Sequence, residues 1–231
     1  MISIIIPVYN QANKLGKCLT ALAKQTFSDF EIIIVNDGST DYPEVIINDW
    51  QKNHPEFKLR YTKQSNHGAP AARNRGASQA PGEYLLFLDA DIKLRPDALA
   101  KLHSALVANP AAAFAYSSFK FGHKIFKLWP FSLARLRQRP YIHTASLIRS
   151  KFFPGWDESL KRFQDWDLFL TMAEQGGEGI FIPEILMTVE TGGTMSQWRP
   201  KLFYKIFPNN KSVLDYNRAA QIIHQKHHLN N

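Results

Sequence analysis

Residues Gly82–Leu99 read GEYLLFLDADIKLRPDAL, an apolar run that ends on two carboxylates, Asp89 and Asp91, with a single alanine between them. Tyr84 to Leu88 has the composition of a buried strand. The end of such a strand has no structural need for acid, and two like charges this close repel each other, so the pattern points to a cation held between them. Residues two apart in an extended segment project to the same side, roughly 6–7 Å apart. One hard divalent ion, or an ion and a ribose hydroxyl, fits that gap. Mg²⁺ or Mn²⁺ held by one or two protein carboxylates completes its shell with water and phosphate oxygens, so the stretch reads as a metal clip for a diphosphate. A lone D-x-D is unspecific, and its position at the end of the most apolar strand lifts it. Asp97, further on, reads as loop and cap for the next helix.

Working outward, SIIIPV, FEIIIVN and KLRYTK are further short runs with strand composition, separated by helix-like segments. Asn13–Lys24 carries Leu15, Leu19 and Leu22 on one face, with Cys18 as a buried thiol among them. Asp41–Gln51 opens on DYPE, where Asp41 caps and Glu44 completes a capping box. Gly68–Ala80 is alanine-rich, and Pro96–Ala108 again opens on proline. Strands alternating with helices imply βαβ units, hence an α/β fold with a mostly parallel central sheet flanked by helices. The second half is less regular. Residues 112–121 and 141–149 read as strands, 122–140 as a basic, aromatic loop, RFQDWDLFLTMAEQGG as a helix with a glycine stop, GIFIP and EILMTVE as two short strands, and 212–228 as a last helix. We divide the chain into a domain over 1–198, with a regular half of nucleotide-binding type (1–110) and a more irregular half (111–198), followed by a basic tail (199–231).

The chain has 231 residues, is 45% hydrophobic and 13% aromatic, and can bury a full core. No run is long enough to cross a bilayer, and MISIIIPVYN does not read as a signal peptide. One cysteine excludes an internal disulfide framework and a cysteine zinc site. The simplest compartment is the cytoplasm. The formal net charge of +8 is unevenly spread: Ala98–Trp156 holds nine Lys or Arg and no acid, and Thr191 onward holds six against Asp215 alone. Such asymmetry suggests an anionic partner. The segment FKFGHKIFKLWPFSLARLRQRP interleaves bases with aromatics, which suits an acidic membrane surface or a lipid diphosphate acceptor as well as a solvated loop. No nucleic-acid motif is present, and no nucleic-acid partner is expected.

In open α/β sheets, ligands sit beyond the carboxyl ends of the strands. Three polar clusters fall there: Tyr9-Asn10, Asn36-Asp37-Gly38-Ser39 and Asp89-Ala90-Asp91. Together with GAPAARNRG and QDWDLFL, and in this order and spacing, the motifs SIIIPVYN, QTFSDFEIIIVNDGSTD, GAPAARNRGASQAPGEYLLFLDAD and QDWDLFL resemble the family 2 inverting glycosyltransferases over about Ser3–Glu190. The resemblance implies a glycosyltransferase A-type fold, a nucleotide diphosphate sugar donor, a saccharide or lipid-linked acceptor, and Mn²⁺ or Mg²⁺ as cofactor. It implies that Pro7 and Tyr9 line the base, that Asp37 accepts from the base ring N–H (favouring uracil or thymine over cytosine), that Arg73 lies near the nucleotide, that Asp89 touches ribose or metal, and that Asp91 is the principal metal ligand. Asp165 matches the family's general base.

Other readings stand beside these. The NDGS turn serves Asp37 equally well. Asp167 reads as favouring a helix dipole. The family's acidic pair is here Gln164-Asp165, and the arginine that often follows is absent. Trp156 and Asp157 match a turn bordering the acceptor, although a core tryptophan is as natural. TGGTMSQWRP, with Arg199 or Lys201, reads as a loop over the diphosphate, His143 as a residue near the metal, and the histidines of HQKHH as a solvated end. A sugar nucleotidyltransferase would need a glycine-rich loop after the first strand, which PVYNQANKLGK does not supply. A non-catalytic binding protein of the same fold is the other alternative, motivated by Gln164.

Overall fold

The computed structural model describes residues 1–192 and 210–229. The chain begins with β1 (Ile2–Val8), α1 (Ala12–Ala23), β2 (Phe30–Asp37), α2 (Pro43–Asn53), β3 (Leu59–Gln64), α3 (Ala69–Ser78), β4 (Tyr84–Phe87), β5 (Ile92–Leu94) and α4 (Ala98–Ala108). It continues with β6 (Phe114–Phe121), β7 (Lys124–Phe126), α5 (Leu133–Gln138), β8 (Leu147–Arg149), α6 (Gln164–Glu174), β9 (Gly179–Val189) and α7 (Lys211–Lys226). Nine strands form one sheet in the order β3-β2-β1-β4-β8-β6-β9-β5, with β7 added to β6. Strands β1–β4 pair in parallel, as expected of βαβ units. In the second half β6–β9 is parallel, while β4–β8, β6–β8, β5–β9 and β6–β7 are antiparallel.

Period-two alternation divides the core between the two sheet faces. Ile2, Ile4 and Ile6 face α1, α2 and α4 with Leu15, Leu19, Ile47 and Leu102, whereas Ile5, Leu85 and Phe87 face the other side with Trp166, Phe169 and Ile223. Cys18 is buried as expected. Helix α3 lies close on the sheet because Gly76 has no side chain: a methyl there would overlap Ile5 Cγ2. Strand β1 sits between β2 and β4, so the chain winds outward to β3 and then crosses back to β4. The crevice at the carboxyl end of β1 is thus the switch point at which an open sheet binds ligands.

Several local expectations change. Residues 122–140 are not a plain loop: β7 pairs with β6 across a tight turn, and α5 follows, with Ser132 Oγ accepting from the Arg135 N–H. GIFIP and EILMTVE form one strand, with register shifts in its pairing to β6 around Pro183, a residue that cannot donate to a ladder. Only 147–149 of the expected 141–149 strand pairs. No capping box forms at α2. Its N-cap is Tyr42 in the left-handed region, Asp41 accepts from the Ala12 N–H, and Glu44 accepts from Tyr61 and Asn36. Asp97 does occupy the N-cap position of α4, but its carboxylate binds Arg95 and Lys101.

The C-terminal histidine cluster is a solvated end only in part: His228 is exposed, but His227 is buried. His227 is 3% exposed, with Nε2 at 2.8 Å from Asp167 Oδ1 and Nδ1 at 3.0 Å from Glu174 Oε2. Both ring nitrogens face carboxylate oxygens, an arrangement that favours the imidazolium, in which both donate. Lys226 adds contacts of 2.6 Å to Asp157 and 2.7 Å to Asp167. Asp167 is therefore more than a dipole partner: it is a buried anion that fastens α7 to α6.

Two predictions follow from this packing. Burial alone would push the His227 ring down, but its bonds to Asp167 and Glu174 outweigh burial and hold it above its ordinary value. A raised histidine contributes stability in full below the unfolded pKa, near 6.5, and loses it as pH rises through the folded value. His227→Ala should cost about 3 kcal/mol at pH 6, with a smaller deficit at pH 9; an equal deficit at both, by urea unfolding, would mean that the ring acts through packing alone. Gly76→Ala should destabilise by about 1–2 kcal/mol, because overlap with Ile5 exceeds the gain in helix propensity.

Candidate active site

Parallel, in-register pairing brings the ends of β1, β2 and β4 to one side of the sheet. Asp37 closes β2 and is 2% exposed. Its Oδ1 accepts from Gln64 Nε2 (2.8 Å) and the His67 N–H (3.0 Å), and its Oδ2 from the Gly68 N–H (2.8 Å). A carboxylate offers about four lone-pair directions, so one remains for a further donor. The turn role and a ligand role are thus compatible. Gly68, at φ +91°, takes a backbone conformation that favours glycine as the chain enters α3. Pro7 is half-buried and Tyr9 is exposed at the end of β1. Beside them, the Asn10 N–H donates to Ser39 Oγ and its side-chain oxygen accepts from the Thr40 N–H, stitching the two strand ends together.

Asp89 and Asp91 follow β4 directly. Burial, and then the charge of Asp89, push Asp91 up to about 6, against a lowering by Lys14. A carboxylate whose ionisation is penalised by burial and by a neighbouring carboxylate gains from a cation beside it. Among the described residues no group of three His, Cys, Asp or Glu side chains is placed to hold a metal. Asp89 and Asp91 offer hard carboxylate oxygens, the ligand type that suits Mg²⁺ or Mn²⁺ completing its shell with phosphate and water.

Arg73 joins this end of the sheet to α6. It is 3% exposed; Nη2 donates to Asp89 Oδ1 at 2.7 Å, Nη1 donates to Gln164 Oε1 at 3.0 Å, and its guanidinium lies 4.8 Å from the Trp156 ring centroid. Arg75, on the same helix, is exposed, as expected. Gln164 also donates from Nε2 to the Leu160 carbonyl. An amide serves both neighbours, whereas a carboxylate would leave that carbonyl without its donor. Phe163, in the left-handed region at φ +59°, turns the chain into α6, held by edge contacts with Trp166 and Tyr216.

Asp165 comes next. Burial raises its pKa above the usual carboxylate range, opposed by the hydrogen bond from the Trp166 N–H and by the charge of Arg73. It lines a cavity of about 260 Å³ with His143, Tyr141, Trp129 and Lys127. Burial pushes His143 down to about 4, so the ring is neutral. Its Nδ1 accepts from the Ala145 N–H at 3.1 Å, which leaves the proton on Nε2. In that tautomer His143 offers a donor rather than the lone pair a metal needs.

The remaining expected residues fall elsewhere. Trp156 is 4% exposed and packs on Phe87, so it is a core tryptophan covered by Arg73. Asp157 is engaged by Ser159 and Lys226. Arg199, Lys201 and most of TGGTMSQWRP lie outside the described residues. Sequence reasoning missed Gln64 and Phe163; a polar residue ending β3 and an aromatic before the first helical turn were the available signals.

The sequence model described as Glycosyl transferase family 2 matches residues 3–167. The chain belongs to that family. Among its relatives, Glycosyltransferase GlyA of Streptococcus pneumoniae is 36% identical over 127 residues, covering 54% of this chain and 18% of that protein. Chondroitin synthase of Pasteurella multocida is 31% identical over 186 residues, covering 76% of this chain and 19% of that protein. The family 2 chain thus spans about a fifth of the length of these relatives. Among solved structures, Staphylococcus aureus TarS 1–349 in complex with UDP-GlcNAc superposes with a TM-score of 0.74 at 20% identity, covering 89% of this chain and 64% of that one. The mannosyltransferase PcManGT from Pyrobaculum calidifontis, in complex with GDP-Man and Mn²⁺, gives 0.69 at 18% identity, covering 99% and 69%. These likenesses establish the nucleotide-sugar transferase fold.

Arg73→Met should leave Asp89 and Gln164 unpaired and lower stability by about 3 kcal/mol. Arg73→Lys, which keeps the charge but reaches fewer partners, should cost less. Equal denaturation midpoints for Arg73→Met and wild type would show that the bridge does not hold the two segments together.

Proposed function

We propose that this chain transfers a sugar, with inversion, from a nucleotide diphosphate sugar to an acceptor hydroxyl. The observation that carries the proposal is Arg73, a single buried side chain that bonds both Asp89 on the nucleotide side and Gln164, the neighbour of Asp165. A donor anchored at the strand ends therefore presents its sugar toward Asp165. Pro7, Tyr9 and the unused acceptor position of Asp37 take the base, and the ring N–H of uracil suits that position. A UDP-linked donor is the reading we adopt.

Asp91, with Asp89, would hold Mn²⁺ or Mg²⁺, and the ion when bound supplies neutralisation of the leaving diphosphate. Asp89 has one oxygen committed to Arg73, which makes Asp91 the principal ligand. Asp165 takes the proton of the acceptor hydroxyl as it attacks. Its raised pKa makes it a stronger base than an exposed aspartate, while the Trp166 N–H and Arg73 favour the ionised form needed to accept that proton. The acceptor, a saccharide or lipid-linked saccharide, enters through the cavity beside Asp165. Among the described residues no helix is long and apolar enough to cross a membrane.

Asp165→Asn should retain UDP binding, seen as thermal stabilisation with Mn²⁺, and lose turnover by about 10²–10⁴-fold. Sugar transfer at the wild-type rate by this variant would remove Asp165 from the reaction. Asp91→Asn should abolish the part of UDP stabilisation that depends on Mn²⁺.

A further inference from the structure

We propose that the cavity beside Asp165 seats an acceptor sugar bearing an anionic group, phosphate or carboxylate, which Lys127 and Arg139 bind while Trp129 covers the ring. This rests on the glycosyltransferase reading above and names the class of acceptor.

The argument starts from how the chain treats its cations elsewhere. Around β5 and β9, the two strands that follow β6 in the sheet, Lys17 and Lys93 pair with Glu190, while Arg95 and Lys101 pair with Glu184. Lys127 and Arg139, which line the cavity, and Arg135 beside Trp129 form no ion pair among the described residues, in a segment that contains no acid from Ala98 to Trp156. Of the described residues that line the cavity, Asp165 alone is acidic. Like charges gathered around a concave site raise the local concentration of anions.

The aromatic part is built as well. Trp129 is 38% exposed, with the guanidinium groups of Arg135 and Arg139 at 4.9 and 5.0 Å from its ring centroid and Tyr141 edge-on at 6.1 Å. Tyr141 is itself fixed, its hydroxyl accepting from the Ser132 N–H at 3.0 Å. The Trp129 ring is thus held in place while keeping exposed surface. A volume of about 260 Å³ falls near the lower end of small-molecule sites, roughly 300 Å³, which suits one sugar unit rather than an extended chain. With a hydroxyl on Asp165 and the Nε2–H of His143 beside it, the anionic substituent falls to Lys127 and Arg139.

The test uses glucose 6-phosphate, glucuronic acid and neutral glucose as probes, with binding to the full chain read by saturation-transfer NMR. Wild type should bind the two charged probes about tenfold more tightly than glucose, the scale of one charge-assisted hydrogen bond. The preference should weaken with salt. It should shrink in Lys127→Gln and Arg139→Gln and vanish in the double variant, whereas Arg137→Gln, which removes the same charge from an exposed position outside the cavity, should retain it. A response to one charged probe only would assign the site to phosphate or to carboxylate. Absence of any preference for charged probes, or an equal loss in Arg137→Gln, overturns the proposal. So does tight binding to phosphatidylglycerol vesicles that falls equally in all three single variants, which would make the face a lipid surface. UDP stabilisation with Mn²⁺, measured on the same samples, separates the two readings: its presence without an anion preference overturns only the acceptor class, and its absence overturns the donor site.

Discussion

Arg73 places a full positive charge where water scarcely reaches, and the structure is arranged around neutralising it. One carboxylate, Asp89, supplies the counter-charge; one amide, Gln164, supplies an acceptor; and the face of Trp156 covers what remains. A buried cation missing such partners costs several kcal/mol, so removing any one of them leaves a charge without compensation. They come from α3, the end of β4, the start of α6 and the turn before it, which is why residues separated by 91 positions form one site. The same charge bears on Asp165 and offsets part of the penalty that burial places on its ionised form.

The neutral glutamine in the family's acidic position follows from this arrangement. Asp89 already balances Arg73, and the Leu160 carbonyl needs a donor that a carboxylate cannot give. Gln164 therefore completes a hydrogen-bond network. Helix geometry then separates the two aspartates that follow. Residues two apart on a helix lie about 200° apart around its axis. Asp165 consequently lines the cavity, while Asp167 meets Lys226 and His227 of the C-terminal segment. One helix thus carries a cavity-lining carboxylate on one side and a structural one on the other.

Much of the first half was readable because its signals are local. Alternating isoleucines, the leucine stripe of α1 and the proline-led helices specify elements within a few residues, and the carboxylates at the end of β4 announced themselves by breaking an apolar run. The second half was harder for a physical reason. The three-residue β7 is stabilised by β6, and the continuity of β9 depends on β6 accommodating a bulge near Pro183. The capping box at α2 failed because Asp41 had a better partner in α1. His227 looks like a solvated tail residue until Asp167, 60 positions earlier, is placed beside it.

The sequence by itself determined the alternation of strands and helices, the parallel sheet of the first ninety residues, and the order of the motifs that mark the family, since each depends on patterns that repeat within one element. Tertiary structure decided which polar groups meet: Arg73 with Gln164, His227 with Asp167, and Asp165 with the cations that line its cavity. Periodicity in a chain records which face of an element is apolar. It carries no record of which distant side chain will lie within 3 Å, because that distance is set by how whole elements pack.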